Sequence, residues 1–286
     1  MPEARLWLRA HLELARLSNL PTVWSNCVAA WLLVGGVFVP SLLFMTIALS
    51  LLYTGGMYLN DACDAGYDAE HRPERPIPRG DISRAWVFIA GGVSIAGGLA
   101  LAAWEGWKEL AMAGTLTVLI VGYDLFHRRL AWSPFLIAAC RLMVYLTINV
   151  AAATAFSPKA VLWGVTLAAY VVGLSYVAKV EAANALTRYG PLALTFPAGL
   201  INLYPTPSAT RWVLSLILGL WLGYCLFYIF RPRRWDLRRA VAGLIAGIAL
   251  VDLMAVSQTP EPFLGQLFCI GCFALSLFLQ RLIPAT

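Results

Sequence analysis

Residues 41–80 read SLLFMTIALSLLYTGGMYLNDACDAGYDAEHRPERPIPRG. The stretch 41–59 is predominantly apolar, long enough to cross most of a bilayer's hydrocarbon core as a helix. It ends on Asn60, and Asp61, Asp64 and Asp68 follow. Asn60, Asp64 and Asp68 repeat at i, i+4, i+8, and Asp61, Asp64 and Asp68 at i, i+3, i+7. A continuing helix therefore presents them on one face. Packed carboxylates repel unless a cation joins them, and an oxygen-only donor set suits Mg²⁺, which commonly shares substrate phosphates. The competing reading is a solvated acidic loop. Next come Arg72, Arg75 and Arg79, with Pro73, Pro76 and Pro78 between them. Proline stiffens the backbone, so the guanidinium groups are offered from a semi-rigid loop. Forked donors match phosphate oxygens. The same arginines also serve as topology-setting charge, Arg79 most plainly.

The rest of the chain supplies the setting. Of 286 residues, 60% are hydrophobic and 13% charged, and the mean hydropathy is +0.73. A soluble domain carries roughly 25% charged residues. Apolar segments recur at 20–36, 41–59, 83–103, 110–126, 133–153, 160–178, 190–204, 211–230, 240–256 and 263–281. The expectation is an all-α, polytopic transmembrane bundle in one domain, 1–286. The seventh segment is short and contains Pro197, so the count is nine or ten, and ten is preferred. Residues 1–19 are expected to form an interfacial helix: Arg5, Arg9, Glu13 and Arg16 share one face and Leu6, Ala10, Leu14 and Leu17 the next. No cleavable signal pattern is expected at the start.

Loop charge orients the bundle. With ten crossings, 17 of the 21 Lys and Arg residues fall on one side, the positive-inside pattern of a cytoplasmic face. The net charge of +6 is spread over short loops, which argues against a nucleic-acid partner and for anionic lipid or an anionic substrate. Cysteines 27, 63, 140, 225, 269 and 272 lie in or beside apolar segments and imply no disulfide framework. Cys269 and Cys272 have CxxC spacing without a second pair, so packing is the better reading.

The run N-D-x-x-D-x-x-x-D followed by R-P-E-R-P-I-P-R-G resembles the first signature of the UbiA superfamily of intramembrane prenyltransferases, in particular its EboC-like branch. The stretches ARLSNLPTVWSN (15–26) and YDLFHRRLAWSPFLIAACRLMVYL (123–146) resemble its first helix and the region after its fourth. The resemblance implies a central cavity with a cytoplasmic cap and Mg²⁺-dependent transfer of a prenyl group from a prenyl diphosphate to a small or lipid-like acceptor. Carried over, Asn60, Asp61, Asp64 and Asp68 form the metal site. Asn60, Arg72, Arg75 and Arg128 contact the diphosphate, with Tyr123 beside them. The superfamily has a second aspartate-rich motif after the sixth helix; here SYVAKVEAANALTRYG (175–190) has none. Either Lys179 replaces a second metal as a fixed charge, with Glu181 and Asn184 as weaker ligands or acceptor contacts, or the second site is lost. The alternatives to transfer are a carrier of isoprenoid diphosphates and a terpene cyclase. The implied location is a bacterial inner membrane, with the site facing the cytoplasm.

Two charges remain inside apolar segments, where they are costly and serve as functional candidates. Arg141, within the fifth, is expected to face the cavity or a carboxylate, with Asp124 a candidate partner. Asp252, late in the ninth, lacks a neighbouring base in sequence. Asn26 joins Arg141 and Asn184 as acceptor or cavity candidates.

Overall fold

The computed structural model of the chain describes residues 2–37, 39–153, 155–179, 190–204, 206–230 and 237–283. Among them the regular structure is entirely helical, as expected for a chain that must satisfy its backbone polar groups without water. The helices are α1 (Pro2–Leu14), α2 (Leu20–Leu33), α3 (Pro40–His71), α4 (Arg84–Glu105), α5 (Trp107–Phe126), α6 (Ser133–Ala152) and α7 (Pro158–Lys179). They continue as α8 (Pro197–Leu203), α9 (Ala209–Phe230), α10 (Leu237–Ala246), α11 (Ile248–Val256) and α12 (Phe263–Leu279). Prolines begin α2, α3, α6 and α8 within the first two positions, where the missing N–H is harmless.

By length and composition, seven helices among the described residues are able to span a membrane: α3, α4, α5, α6, α7, α9 and the α10–α11 pair. The chain is thus an integral, multi-pass membrane protein. The expected segments 20–36, 190–204 and 263–281 appear as shorter helices. The first becomes the 14-residue α2 and the last the 17-residue α12. The segment 190–204 becomes a 3₁₀ turn (Gly190–Thr195) and the seven-residue α8.

α2 is the centre of the bundle and is buried on nearly every side, against α3, α6, α11 and α12. Small residues set the α3–α4 spacing. A Cβ built on Gly98 would come within 2.8 Å of the Ala48 carbonyl oxygen, and one on Gly55 within 2.9 Å of that of Gly91. Close backbone approach of this kind is how helices associate where burial from water gives no drive. The α10–α11 span breaks at Gly247. The hydroxyl of Tyr170 donates to the Leu244 carbonyl (2.8 Å) and the indole of Trp221 to that of Gly243 (2.9 Å), so protein groups serve the broken turn. Outward, α4, α9 and α12 expose Val93, Leu216, Leu220, Phe263 and Leu264, the surface a bilayer covers. Trp104 and Trp107 lie exposed at one end of the bundle and Trp86 and Trp132 at the other, as interfacial tryptophans do. α1 buries Ala10 and Leu14 against Tyr58, Ala62, Ile82 and Val87, and leaves Trp7 and Leu8 exposed.

Candidate functional site

α3 continues for about three turns past the apolar run, to His71, and carries all four acidic-motif residues on this extension. They are nevertheless buried. The helix stops at Arg72, and tight turns fold the proline-rich loop back: Arg75 N donates to the Arg72 carbonyl (3.1 Å) and Arg79 N to that of Arg75 (2.9 Å). Gly80 closes the loop at φ +84°, a conformation that side chains resist. This fold-back brings Arg75 onto its own helix. Its Nη1 donates to Asp61 Oδ1 at 2.5 Å and lies 3.6 Å from Asp68 Oδ2.

Partners arrive from two other elements. Arg16, between α1 and α2, donates to Asp61 Oδ1 at 3.2 Å. The turn after α5 supplies Arg128, whose Nε donates to Asp64 Oδ1 at 2.6 Å, and His127, whose Nε2 lies 3.3 Å from Asp64 Oδ2. Arg128 also stacks over the Tyr67 ring at 3.6 Å. Burial opposes its charge, but the hydrogen bond to Asp64 and the attraction of Asp64 and Asp68 prevail and raise its pKa. Asn60 donates to Asp124 Oδ1 at 3.1 Å. Arg79 turns away, to Asp81 and Glu13.

These groups ring the mouth of a cavity of about 670 Å³, enclosed by α2, α3, α5, α6, α7, α10 and α11. That volume lies in the range of small-molecule sites. Asn60, Asp64, Arg72, Arg75, Tyr123 and Arg128 line it, while Asp61 faces an adjoining basin bordered by Arg16, Arg72 and Arg75. Below the mouth the walls are mostly apolar, with Leu49, Leu116, Ile137, Val144 and Leu174 among them.

Oxygen donors of a metal-binding kind are present. Asp68 Oδ1 and Asp124 Oδ2 are buried without a hydrogen-bond partner among the described residues, and their chemistry fits a hard divalent ion. Arginines hold the other carboxylates, and among the described residues no three acidic, His or Cys side chains converge as a ready-made metal cage.

Arg141 and Asp124 do not pair. Arg141 lines the cavity and donates to Asn26 Oδ1 (2.8 Å) and Thr22 Oγ1 (3.0 Å). Asn26 is fully buried behind it, outside the cavity lining. Asp252 is also fully buried, and accepts from Ser25 (2.5 Å), Asn26 (2.7 Å) and Tyr145 (2.6 Å). Lys179 ends α7, and Ser175 and Ala178 just before it line the cavity; the Lys179 side chain, Glu181 and Asn184 lie outside the description. Sequence reading passed over Arg16, Asp124 and His127 as site residues. Their signal was position: each is a polar side chain within a turn of an apolar segment's end.

Comparison with known proteins gives one family. The family model described as "UbiA prenyltransferase family" matches residues 19–255. A digeranylgeranylglyceryl phosphate synthase of Methanoculleus marisnigri is 30% identical over 120 residues, covering 42% of this chain and 43% of that protein. One from Methanopyrus kandleri is 34% identical over 95 residues, covering 32% and 35%. The chain thus aligns with less than half the length of these curated relatives. A solved UbiA homolog from Aeropyrum pernix K1 superposes with a TM-score of 0.67 at 17% identity, over 82% of this chain and 97% of that one. A structure described as digeranylgeranylglyceryl phosphate synthase in membranes gives 0.58 at 17%, over 94% and 99%. At that identity the likeness is one of fold.

Proposed function

The chain belongs to the UbiA prenyltransferase family, and from that we propose that it transfers a prenyl group from a prenyl diphosphate to an acceptor within its membrane-embedded cavity. The observation that carries the reading is a polar mouth of paired arginines and carboxylates above apolar walls. An amphiphile with a diphosphate head and an isoprenoid tail matches both halves.

At rest Asp61 and Asp64 neutralise Arg75 and Arg128. On binding, the pairs exchange partners: Arg72, Arg75 and Arg128 turn their donors to phosphate oxygens, which leaves the carboxylates for a cation. Asn60, Asp61, Asp64 and Asp68 would hold Mg²⁺, with the free Asp124 oxygen beside them; bound there, the ion would supply positive charge to offset that of the departing diphosphate. The allylic C–O bond breaks with its electron pair on the diphosphate. The rings of Tyr53, Tyr67 and Tyr123 line the cavity and offer π faces to the carbocation. Apolar walls keep water from quenching it. The acceptor's nucleophile bonds to the allylic carbon, and its proton leaves on the released diphosphate.

Lys179, Glu181 and Asn184 belong to this reading as the stretch that adds charge and acceptor contacts where the family has further aspartates. The name of the curated relatives supports a glycerophosphate-type acceptor, and the positive-inside charge supports a cytoplasmic mouth; those relatives are archaeal. The test is purified protein in nanodiscs with labelled geranylgeranyl diphosphate, Mg²⁺ and a lipid extract. A prenylated product that disappears with EDTA is expected. Saturable binding without product would instead identify a carrier, and a cyclised hydrocarbon a cyclase.

A further inference from the structure

The aspartates of the α3 extension are matched to arginines. Asp61 meets Arg16 and Arg75, Asp64 meets Arg128, and Asp68 lies 3.6 Å from Arg75. Asp124 is different. It sits in the last turn of α5, lines the cavity and is only 5% exposed. Among the described residues it makes no ion pair. Its Oδ1 takes one N–H, from Asn60 at 3.1 Å, and its Oδ2 takes none.

A buried carboxylate left in that state is costly. Asp252 shows how this fold closes off a carboxylate it does not use at the cavity: three donors surround it, from Ser25, Asn26 and Tyr145. Asp124 has one neutral donor and an open oxygen on a cavity wall. Its partner is oriented as well. A carboxylate only accepts, so the Asn60 amide turns its N–H to Asp124 and its carbonyl oxygen remains an acceptor. Hard oxygen donors from α3 and α5 thus stand side by side. A Mg²⁺ ion asks little more of a protein, because it takes one or two carboxylates, keeps waters and completes its shell with substrate phosphates.

Along α3, Asp64 and Asp68 follow Asn60 by four and eight residues, about 6 and 12 Å at the helical rise. Asp68 Oδ1 is the other carboxylate oxygen buried without a partner among the described residues. The open oxygens therefore mark two levels, an outer one at Asp68 and an inner one at Asp124. We propose that Asp124 and Asn60 hold a second divalent cation at the inner level, in the role for which the stretch 175–190 has no aspartate. The outer ion stays with the aspartates of the α3 extension. This rests on the prenyltransferase reading and adds to it the number of ions and a ligand from outside the signature.

The test counts bound Mn²⁺, a paramagnetic ion that shares the oxygen ligands of Mg²⁺, by electron paramagnetic resonance of the protein in nanodiscs with inorganic diphosphate. It needs neither donor nor turnover. The wild type is expected to take up two ions with mutual spin coupling. Asp124→Asn keeps the side chain's shape; it should retain one ion and bind the second at least about tenfold more weakly, the lower bound for disturbing even a group behind a metal ligand. Glu181→Gln should leave the count at two. The retained ion reports that the Asp124 variant is folded. If Asp124→Asn holds neither ion, Asp124→Glu decides: recovery of both supports the assignment, and recovery of one or none overturns it. The proposal is also overturned if the wild type takes up fewer than two ions, if Asp124→Asn keeps two at wild-type affinity, or if Glu181→Gln is the variant that loses one. Two ions dependent on Asp124, with no prenylated product from geranylgeranyl diphosphate, would refute the prenyltransferase reading and leave this site standing.

Discussion

Replacing Asp64 by asparagine separates the two roles given to the cavity mouth. The side chain keeps its shape and one carbonyl acceptor but loses its charge. At rest Asp64 Oδ1 takes the Arg128 Nε–H at 2.6 Å, and the two side chains are 11% and 33% exposed. Water reaches such a pair, so its net worth is about 1 kcal/mol and the fold should tolerate the change. Arg128 is then released, and the pocket holds one negative charge fewer. In EDTA the affinity for geranylgeranyl diphosphate should rise about fivefold, the equivalent of ~1 kcal/mol. With Mg²⁺ the sign reverses. The cation loses a charged ligand, and turnover should fall by about 10²–10³, the range seen when one group stabilising developing charge is removed. Titration calorimetry in EDTA and pyrophosphate release in Mg²⁺ measure the two halves. A metal-free affinity that falls, or a Mg²⁺-dependent rate close to wild type, refutes the partner-exchange argument.

Other variants address the scaffold. Gly98→Leu drives a side chain against the Ala48 carbonyl and should cost about 1–3 kcal/mol, read as a lower unfolding temperature in detergent; Gly92→Ala, with open space at its Cβ, should leave it unmoved. Tyr170→Phe removes the donor to the Leu244 carbonyl beside the helix break, for a loss of about 1 kcal/mol in the same measurement. Arg79→Ala should keep pyrophosphate release within about twofold, as for a surface change, because Arg79 binds Glu13 and Asp81. The same variant should speed amide exchange in α1, and unchanged exchange would show that this contact does not hold the helix.

Local pattern made much of this protein legible. Apolar runs of membrane-crossing length dictate helices, because a backbone in lipid has no other partner for its polar groups. The 3–4 spacing of Asn60, Asp61, Asp64 and Asp68 specifies one helical face, and α3 does continue through it. The run of motifs around residues 60–80 was enough to place the chain in its family. What period and spacing do not encode is which distant side chain meets which. Asp124 was a natural mate for Arg141 by its place at a segment end, yet it bonds Asn60, and Arg141 goes to Thr22 and Asn26. Asp252 looked isolated in sequence because its partners Ser25 and Asn26 lie more than 220 residues away. The register and crossing of α2, α6 and α11 bring them together. A buried charge takes its meaning from the donors packed around it, and only tertiary packing decides those.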